Sequence, residues 1–216
     1  MKMTRLAASL IATLVVAGTA YAQDTQTGRL VHHVLESPAL PRVRVRVAPD
    51  LAYLGAVRYA VPTGALVEAF VFGDTADGRL RRAFVAHFEG YPAGVDHSFN
   101  YPRLEMARLG ADEYLHQTWA LRQFGMFEIP AIKAFLTARG IAAGPSWVMD
   151  RYVRTVDPNQ RNEVIFFYLE SSAMHDPAMK FGGAPDPPPP PVPPPAVLEA
   201  VRARAAQAFQ VTSEAE

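Results

Sequence analysis

The chain contains no cysteine, and its lysines are only Lys2, Lys133 and Lys180. Without cysteine it is neither a disulfide-stapled module nor a protein tethered by a lipidated thiol, so its stability must come from an ordinary hydrophobic core. Also missing are a glycine-rich phosphate loop, a G-x-S-x-G elbow and an H-E-x-x-H pair, each of which would announce a known chemistry. Six histidines, at positions 32, 33, 87, 97, 116 and 175, are scattered without the spacing of metal ligands, so no metal is expected. Neither sign of charge dominates: 21 basic residues balance 21 acidic ones. A nucleic-acid binder is normally basic, so no nucleic-acid partner is expected. The preference for arginine over lysine, with much alanine and proline, reads as compositional bias.

What is present is clearest at the N-terminus. Lys2 and Arg5 precede the apolar run Leu6 to Val16, and Ala20-Tyr21-Ala22 follows as a small-x-small cleavage pattern. The run is too short to span a bilayer, which takes roughly 20 apolar residues. A cleaved signal peptide is therefore expected over residues 1–22, with export to the periplasm or the medium and no membrane span once it is removed. The remainder, roughly 190 residues, is long enough to bury a single substantial core.

The expected fold is α+β: a mainly antiparallel, curved sheet of six or more strands with one packed helix. Residues 23–40 make a polar lead-in and a short element, in which Arg29 to Glu36 suits a short helix or a strand. Residues 41–176 form the globular domain. Arg42 to Val47 alternates perfectly between arginine and valine, the pattern of a strand with one buried face. Its arginines read as a solvated outer face that discourages edge-to-edge pairing. Leu51 to Val61 is a further strand, bent at Gly55.

Ala65 to Gly90 is the hairpin around which the domain is built, two apolar arms about a polar turn ending in Gly78. In its second arm Phe84, Ala86 and Phe88 face one way, and Val85, His87 and Glu89 the other. Gly90 to Pro102 is a turn-rich loop, and Asp112 to Gln123 leans towards strand. Pro130 to Arg139 is a helix, with proline in its first turn and Gly140 as its stop. Ser146 to Val156 and Asn162 to Glu170 form a closing hairpin whose second arm, apolar on both faces, belongs in the middle of a sheet. The charges along it, Asp150, Arg151, Arg154, Arg161, Glu163 and Glu170, read first as cross-strand ion pairs.

Beyond residue 176 the composition changes. Residues 177–195 are a proline-rich linker whose run Pro185 to Pro195 must adopt the polyproline II conformation. Residues 196–216 form a C-terminal amphipathic helix and tail, with a narrow stripe of Val197, Val201, Ala205, Ala208 and Phe209. Held off by a stiff rod, this helix either docks on its own domain, reaches a partner or hangs as a loose tail. The tail is expected to be dispensable for folding, so truncation near Gly183 should leave stability nearly unchanged.

One local pattern suggests chemistry. His87 and Glu89 share a strand face at a separation suited to a general base and acid, or to two ligands of a metal, and they are the candidate catalytic residues. His116, if its strand were adjacent, would join them. His97, Tyr101, His116, Arg151 and Glu163 are the candidate ligand-binding residues; Arg151 offers a guanidinium to an anionic ligand. The sequence identifies no cofactor.

The leading expectation is an exported, non-catalytic protein that binds a small molecule or a partner. A small acid–base enzyme, hydrolase or isomerase, using His87 and Glu89 is the alternative. A third class is a cell-envelope structural protein working through its proline-rich tail. The expected partners are a small-molecule ligand and, through the C-terminal helix, an envelope protein.

Overall fold

A computed structural model describes residues 29–37, 42–102, 104–122, 129–144, 146–175 and 193–213. The expected signal peptide and nearly all of the proline-rich linker lie outside the described residues. The architecture is α+β, two antiparallel sheets with two helices. The smaller sheet holds β1 (Arg29–Val31), β2 (Val34–Ser37), β3 (Val43–Val47) and β12 (Phe209–Ser213), in the order β1-β2-β3-β12.

The larger sheet has eight strands. They are β4 (Ala52–Ala60), β5 (Leu66–Ala76), β6 (Arg79–Gly90), β7 (Glu105–Leu109), β8 (Asp112–Arg122), β9 (Ala142–Ala143), β10 (Ser146–Thr155) and β11 (Asn162–Ser171). Seven of them run β4-β5-β6-β11-β10-β8-β7, and short β9 joins β6 in parallel. The helices are α1 (Pro130–Thr137) and α2 (Pro195–Ala208).

Tight turns set the hairpins. β5 and β6 meet through Asp77-Gly78, both at positive φ (50° and 70°), the backbone of a two-residue turn whose twist matches the strands. The arms therefore extend past the polar stretch expected as loop, with a bulge between Asp74 and Thr75. His32 and His33 occupy the equivalent positions between β1 and β2 (φ 47° and 61°). That segment is thus a hairpin, where the sequence left helix and strand open. Gly55 sits at a bulge in β4 with φ 137°, and a Cβ there would lie 2.8 Å from the Phe135 ring of α1. Glycine both bends the strand and seats the helix.

The large sheet is covered on both faces. On one side Phe70, Phe72, Phe84, Phe88, Val164, Phe166 and Tyr168 pack against β2, β3, β12 and α2. On the other, Val71, Val85, Ile165, Phe167, Leu169, Trp147 and Met149 pack with Ile132 and Leu136 of α1. β11 lies fourth among the seven strands, which is why its residues are apolar on both faces.

The C-terminal helix docks on its own domain, one of the three placements left open. Its stripe of Val201, Ala205 and Ala208 is buried in the first core, and Val197 packs beside it. The stripe therefore serves the chain's own domain. Phe209, read in the sequence as the last helical residue, is extended (φ −152°, ψ 154°) and opens β12, which pairs with β3. Its ring stacks on Phe84 at 4.5 Å and touches Phe166 and Tyr152 at 5.8 Å. The small alanines let the helix approach closely, and the extended end inserts the ring between the two sheets.

Ion pairing also differs from the cross-strand expectation. In the β10–β11 register Asp150 opposes Tyr168, Arg151 opposes Phe167, Arg154 opposes Val164 and Glu163 opposes Thr155, so the charges do not face one another. Arg154 pairs with Asp112 instead. Glu170, fully buried, receives Arg204 of α2 at 2.6 and 2.7 Å, with Tyr168 at 2.7 Å and His175 at 2.8 Å. Asp150, also fully buried, accepts from Thr118 (2.5 Å) and Tyr152 (2.6 Å) and lies 2.7 Å from His116. Arg202 of α2 donates to the Thr118 hydroxyl at 2.6 Å. Two arginines of the helix thus reach two buried acidic networks of the large sheet.

Candidate functional site

The α1 side of the large sheet carries the polar groups of interest in two adjacent rows. Strand register aligns Tyr59, Val67, Glu89, Glu163 and Thr155 across β4, β5, β6, β11 and β10. The next row holds Val57, Ala69, His87, Ile165, Val153 and Leu115. Because pairing partners point to the same face, Glu89 and Glu163 are direct cross-strand neighbours. Farther along, Arg151 pairs with Phe167 on one side and with exposed Gln117 on the other.

His87 is buried, its Nε2 3.6 Å from Glu89 and 3.5 Å from the Tyr59 hydroxyl. Burial, reinforced by the positive charge of Arg151, pushes its pKa down to about 3. The imidazole is therefore neutral at physiological pH, and the contact with Glu89 is not an ion pair. Nδ1 of His87 is buried without a hydrogen-bond partner among the described residues.

Both carboxyls are displaced the other way. Burial pushes Glu89 up to about 7, against the attraction of Arg151. Burial likewise lifts Glu163 to about 7, despite a hydrogen bond from Tyr101, and the charge of Glu89 adds to the rise. Two buried carboxyls this close titrate as a pair, and near neutrality the pair holds a proton. The Tyr101 hydroxyl donates to Glu163 at 2.7–2.8 Å. Burial first, then Glu163, raises the Tyr101 pKa, so the hydroxyl keeps its proton.

The guanidinium of Arg151 lies 5.1 Å from the Tyr101 ring centre and 6.0 Å from that of Phe167, a cation held over aromatic faces. Its Nε is buried without a hydrogen-bond partner among the described residues. Nearby on the same face are half-buried Leu115 and Trp119.

Tyr101 is delivered by the loop that follows β6, and Arg161 fastens that loop. Its guanidinium donates to the carbonyls of Val95 (2.7 Å) and Pro92 (2.9 Å). Arg161 is placed for this by the β10–β11 turn, where Asp157 accepts from the backbone N–H groups of Asn159, Arg161 and Asn162.

The structure thus gathers His87, Glu89, Tyr101, Arg151 and Glu163 on one face. It separates the other two candidates. His116 lies on the opposite face, stacked on Tyr152 at 4.6 Å and bound to Asp150, with β10 and β11 between its strand and β6. It therefore cannot join the His87–Glu89 pair. His97 is exposed on the loop, 5.7 Å from the Tyr91 ring. The sequence reading missed Tyr59, which the register places in the row of Glu89 with Val67 between them and whose hydroxyl lies 3.5 Å from His87. It also missed that Glu89 is nearly dry, with its side chain 10% exposed.

No three His, Cys, Asp or Glu side chains among the described residues are grouped to hold a metal ion. Among the same residues, no helix is long and apolar enough to cross a membrane. Comparison with known proteins brings no precedent to this geometry, since no family model, curated protein or solved structure matches the chain.

Proposed function

We propose that this is an exported, non-catalytic protein that binds a small molecule on the α1 side of its large sheet. The observation that carries the reading is Arg151: a cation above two aromatic rings, its Nε buried and unpartnered, beside half-buried Leu115 and Trp119. A buried guanidinium Nε without a hydrogen-bond partner among the described residues is costly, and a polar ligand group at that point would relieve the cost. Apolar side chains around a few fixed polar groups are the usual make-up of a small-molecule site.

The test uses 1-anilinonaphthalene-8-sulfonate, an apolar aromatic with one anionic group. Its fluorescence should titrate to a single saturable site, and Arg151→Met, shown folded by circular dichroism, should weaken binding about tenfold or more, the worth of one charge-assisted contact. Equal affinity in the variant would remove Arg151 from the site and the reading with it.

The alternative, a small acid–base enzyme, is favoured by one observation. Glu89 and Glu163 both stand near 7, so at working pH a carboxylic acid and a carboxylate lie side by side, whereas His87, pushed down to about 3, is a weak base.

Export rests on the N-terminal pattern alone. Mass spectrometry of the protein from its host should show a chain beginning at Gln23, after Ala20-Tyr21-Ala22. A full-length chain held in the membrane fraction would count against export.

A further inference from the structure

The binding face can be taken one step further by counting its charges, an argument that rests on the reading just given. Among the described residues, the ionisable groups bearing on the Glu89–Glu163 pair are few. They are His87 on the same strand as Glu89, Tyr59 on β4, Tyr101 on the covering loop and Arg151 on β10. Neighbouring β5 contributes Val67 at this row, and Thr155 flanks Glu163 on β10, neither of them titratable. With His87 neutral and both tyrosines protonated, Arg151 supplies a single positive charge against two carboxyls.

A dry face tolerates little net charge. If both carboxyls ionise, the group carries one negative charge in excess; if one keeps a proton, the group is neutral. Now let an organic anion settle against the guanidinium. Neutrality then requires the second carboxyl to take a proton as well.

A cationic ligand would face the opposite problem. The aromatic faces of Tyr101 and Phe167 already have Arg151 over them, and a second cation would meet like charge. Two further features point to an anion with hydrogen-bonding capacity. One is the Nε of Arg151, and the other is the buried Nδ1 of His87 in the tautomer that carries its proton there, both without a hydrogen-bond partner among the described residues.

We infer that the face takes an organic acid as its anion together with one proton, the guanidinium of Arg151 holding the carboxylate and the Glu89–Glu163 pair holding the proton. The proton comes from solvent, and no covalent bond changes. The ligand class is a monocarboxylic acid with an apolar body. Its capture is favoured by mild acidity and its release by mild alkalinity.

The experiment titrates 1-naphthoate, and its neutral isostere 1-naphthamide, by calorimetry across the range about pH 6 to 9. On the alkaline side of pH 7 the affinity for naphthoate should fall by at least about tenfold per pH unit, the slope of one linked proton, steepening where the free pair has lost both protons, and that for naphthamide should stay flat. Titration of the unaltered protein in phosphate and in Tris, buffers of different ionisation heat, should report uptake of about one proton per naphthoate bound. The double variant Glu89→Gln, Glu163→Gln, which fixes both groups in a neutral state, should bind naphthoate with an affinity independent of pH.

Naphthoate binding that is flat with pH, or a slope that survives in the double variant, overturns the proton coupling and leaves the binding reading standing. Tighter binding of 1-naphthylmethylamine than of naphthoate, growing with pH, overturns the anion assignment. Failure of both the sulfonate fluorophore and naphthoate to bind at any pH sinks the site itself. Should the double variant not fold, the two-buffer measurement decides alone.

Discussion

Deleting everything from Pro195 onward is expected to abolish cooperative folding. The deletion takes Val201, Ala205, Ala208, Phe209 and Val211 out of the first core and bares the edge of β3 that β12 covers. Removing one buried phenylalanine side chain typically costs about 3–5 kcal/mol through lost transfer energy and the cavity left behind. Phe209 is such a side chain, 3% exposed and in contact with Phe84, Phe166 and Tyr152. The deletion also strips Arg204 from Glu170, and orphaning one member of a buried pair costs a further several kcal/mol. Together these losses match or exceed the whole stability of an ordinary domain, about 5–15 kcal/mol. Circular dichroism on heating should show no sigmoidal transition for the truncated chain. A transition within a few degrees of the full-length protein would mean that α2 and β12 dock without stabilising the fold.

The second large effect concerns Glu170 by itself. Burial alone would raise its pKa, but hydrogen bonds from His175, Arg204 and Tyr168 hold it down at about 2. A depressed folded-state pKa means that the contribution is complete above the ordinary carboxylate value of 4.5 and is lost as pH falls from there towards 2. In that window the unfolded chain binds the proton and the folded chain does not, so stability falls with acid. Arg204→Met should lower stability at neutral pH by on the order of 3 kcal/mol, since Tyr168 and His175 remain and Arg204 is partly solvated. It should also flatten the acid limb of the stability curve. Glu89, Glu163 and His87 have shifted pKa values of their own, but they are common to both proteins. The difference between wild type and variant therefore isolates Glu170. Urea unfolding from about pH 2 to 7 gives the comparison. Equal midpoints at neutral pH, or parallel acid limbs, would show that the arginine contributes nothing.

Much of the strand content was legible because its signals are local. Arg42 to Val47 displays one buried face in six residues, and the observed strand Val43–Val47 buries its three valines. Asp77-Gly78 marks a turn by its chemistry alone. Pro130 and Gly140 bracket α1. Three strands escaped notice, among them two-residue β9, too short to carry a pattern. β7 is short and largely exposed, so no burial pattern is imprinted on it. β12 follows α2 with no breaker between them, and Phe209 fits the helical stripe by spacing alone. The candidate site was legible only as a pair: the period of two puts His87 and Glu89 on one face whatever lies beside them.

The sequence by itself therefore determined which residues share a face, where the main hairpin turns, and that a cysteine-free core must hold the fold. These follow from the two-residue strand period and from turn stereochemistry, which act over a few bonds. Only the tertiary structure decided that Glu163 stands opposite Glu89, that His116 belongs to the other face, and that α2 closes the first core. Strand order joins segments tens of residues apart, and no local pattern encodes which neighbour a strand takes. It also decided the chemistry of the carboxyl pair. The pKa of a carboxyl depends on the water left around it, and here that water is excluded by β11 and by the loop that Arg161 fastens in place.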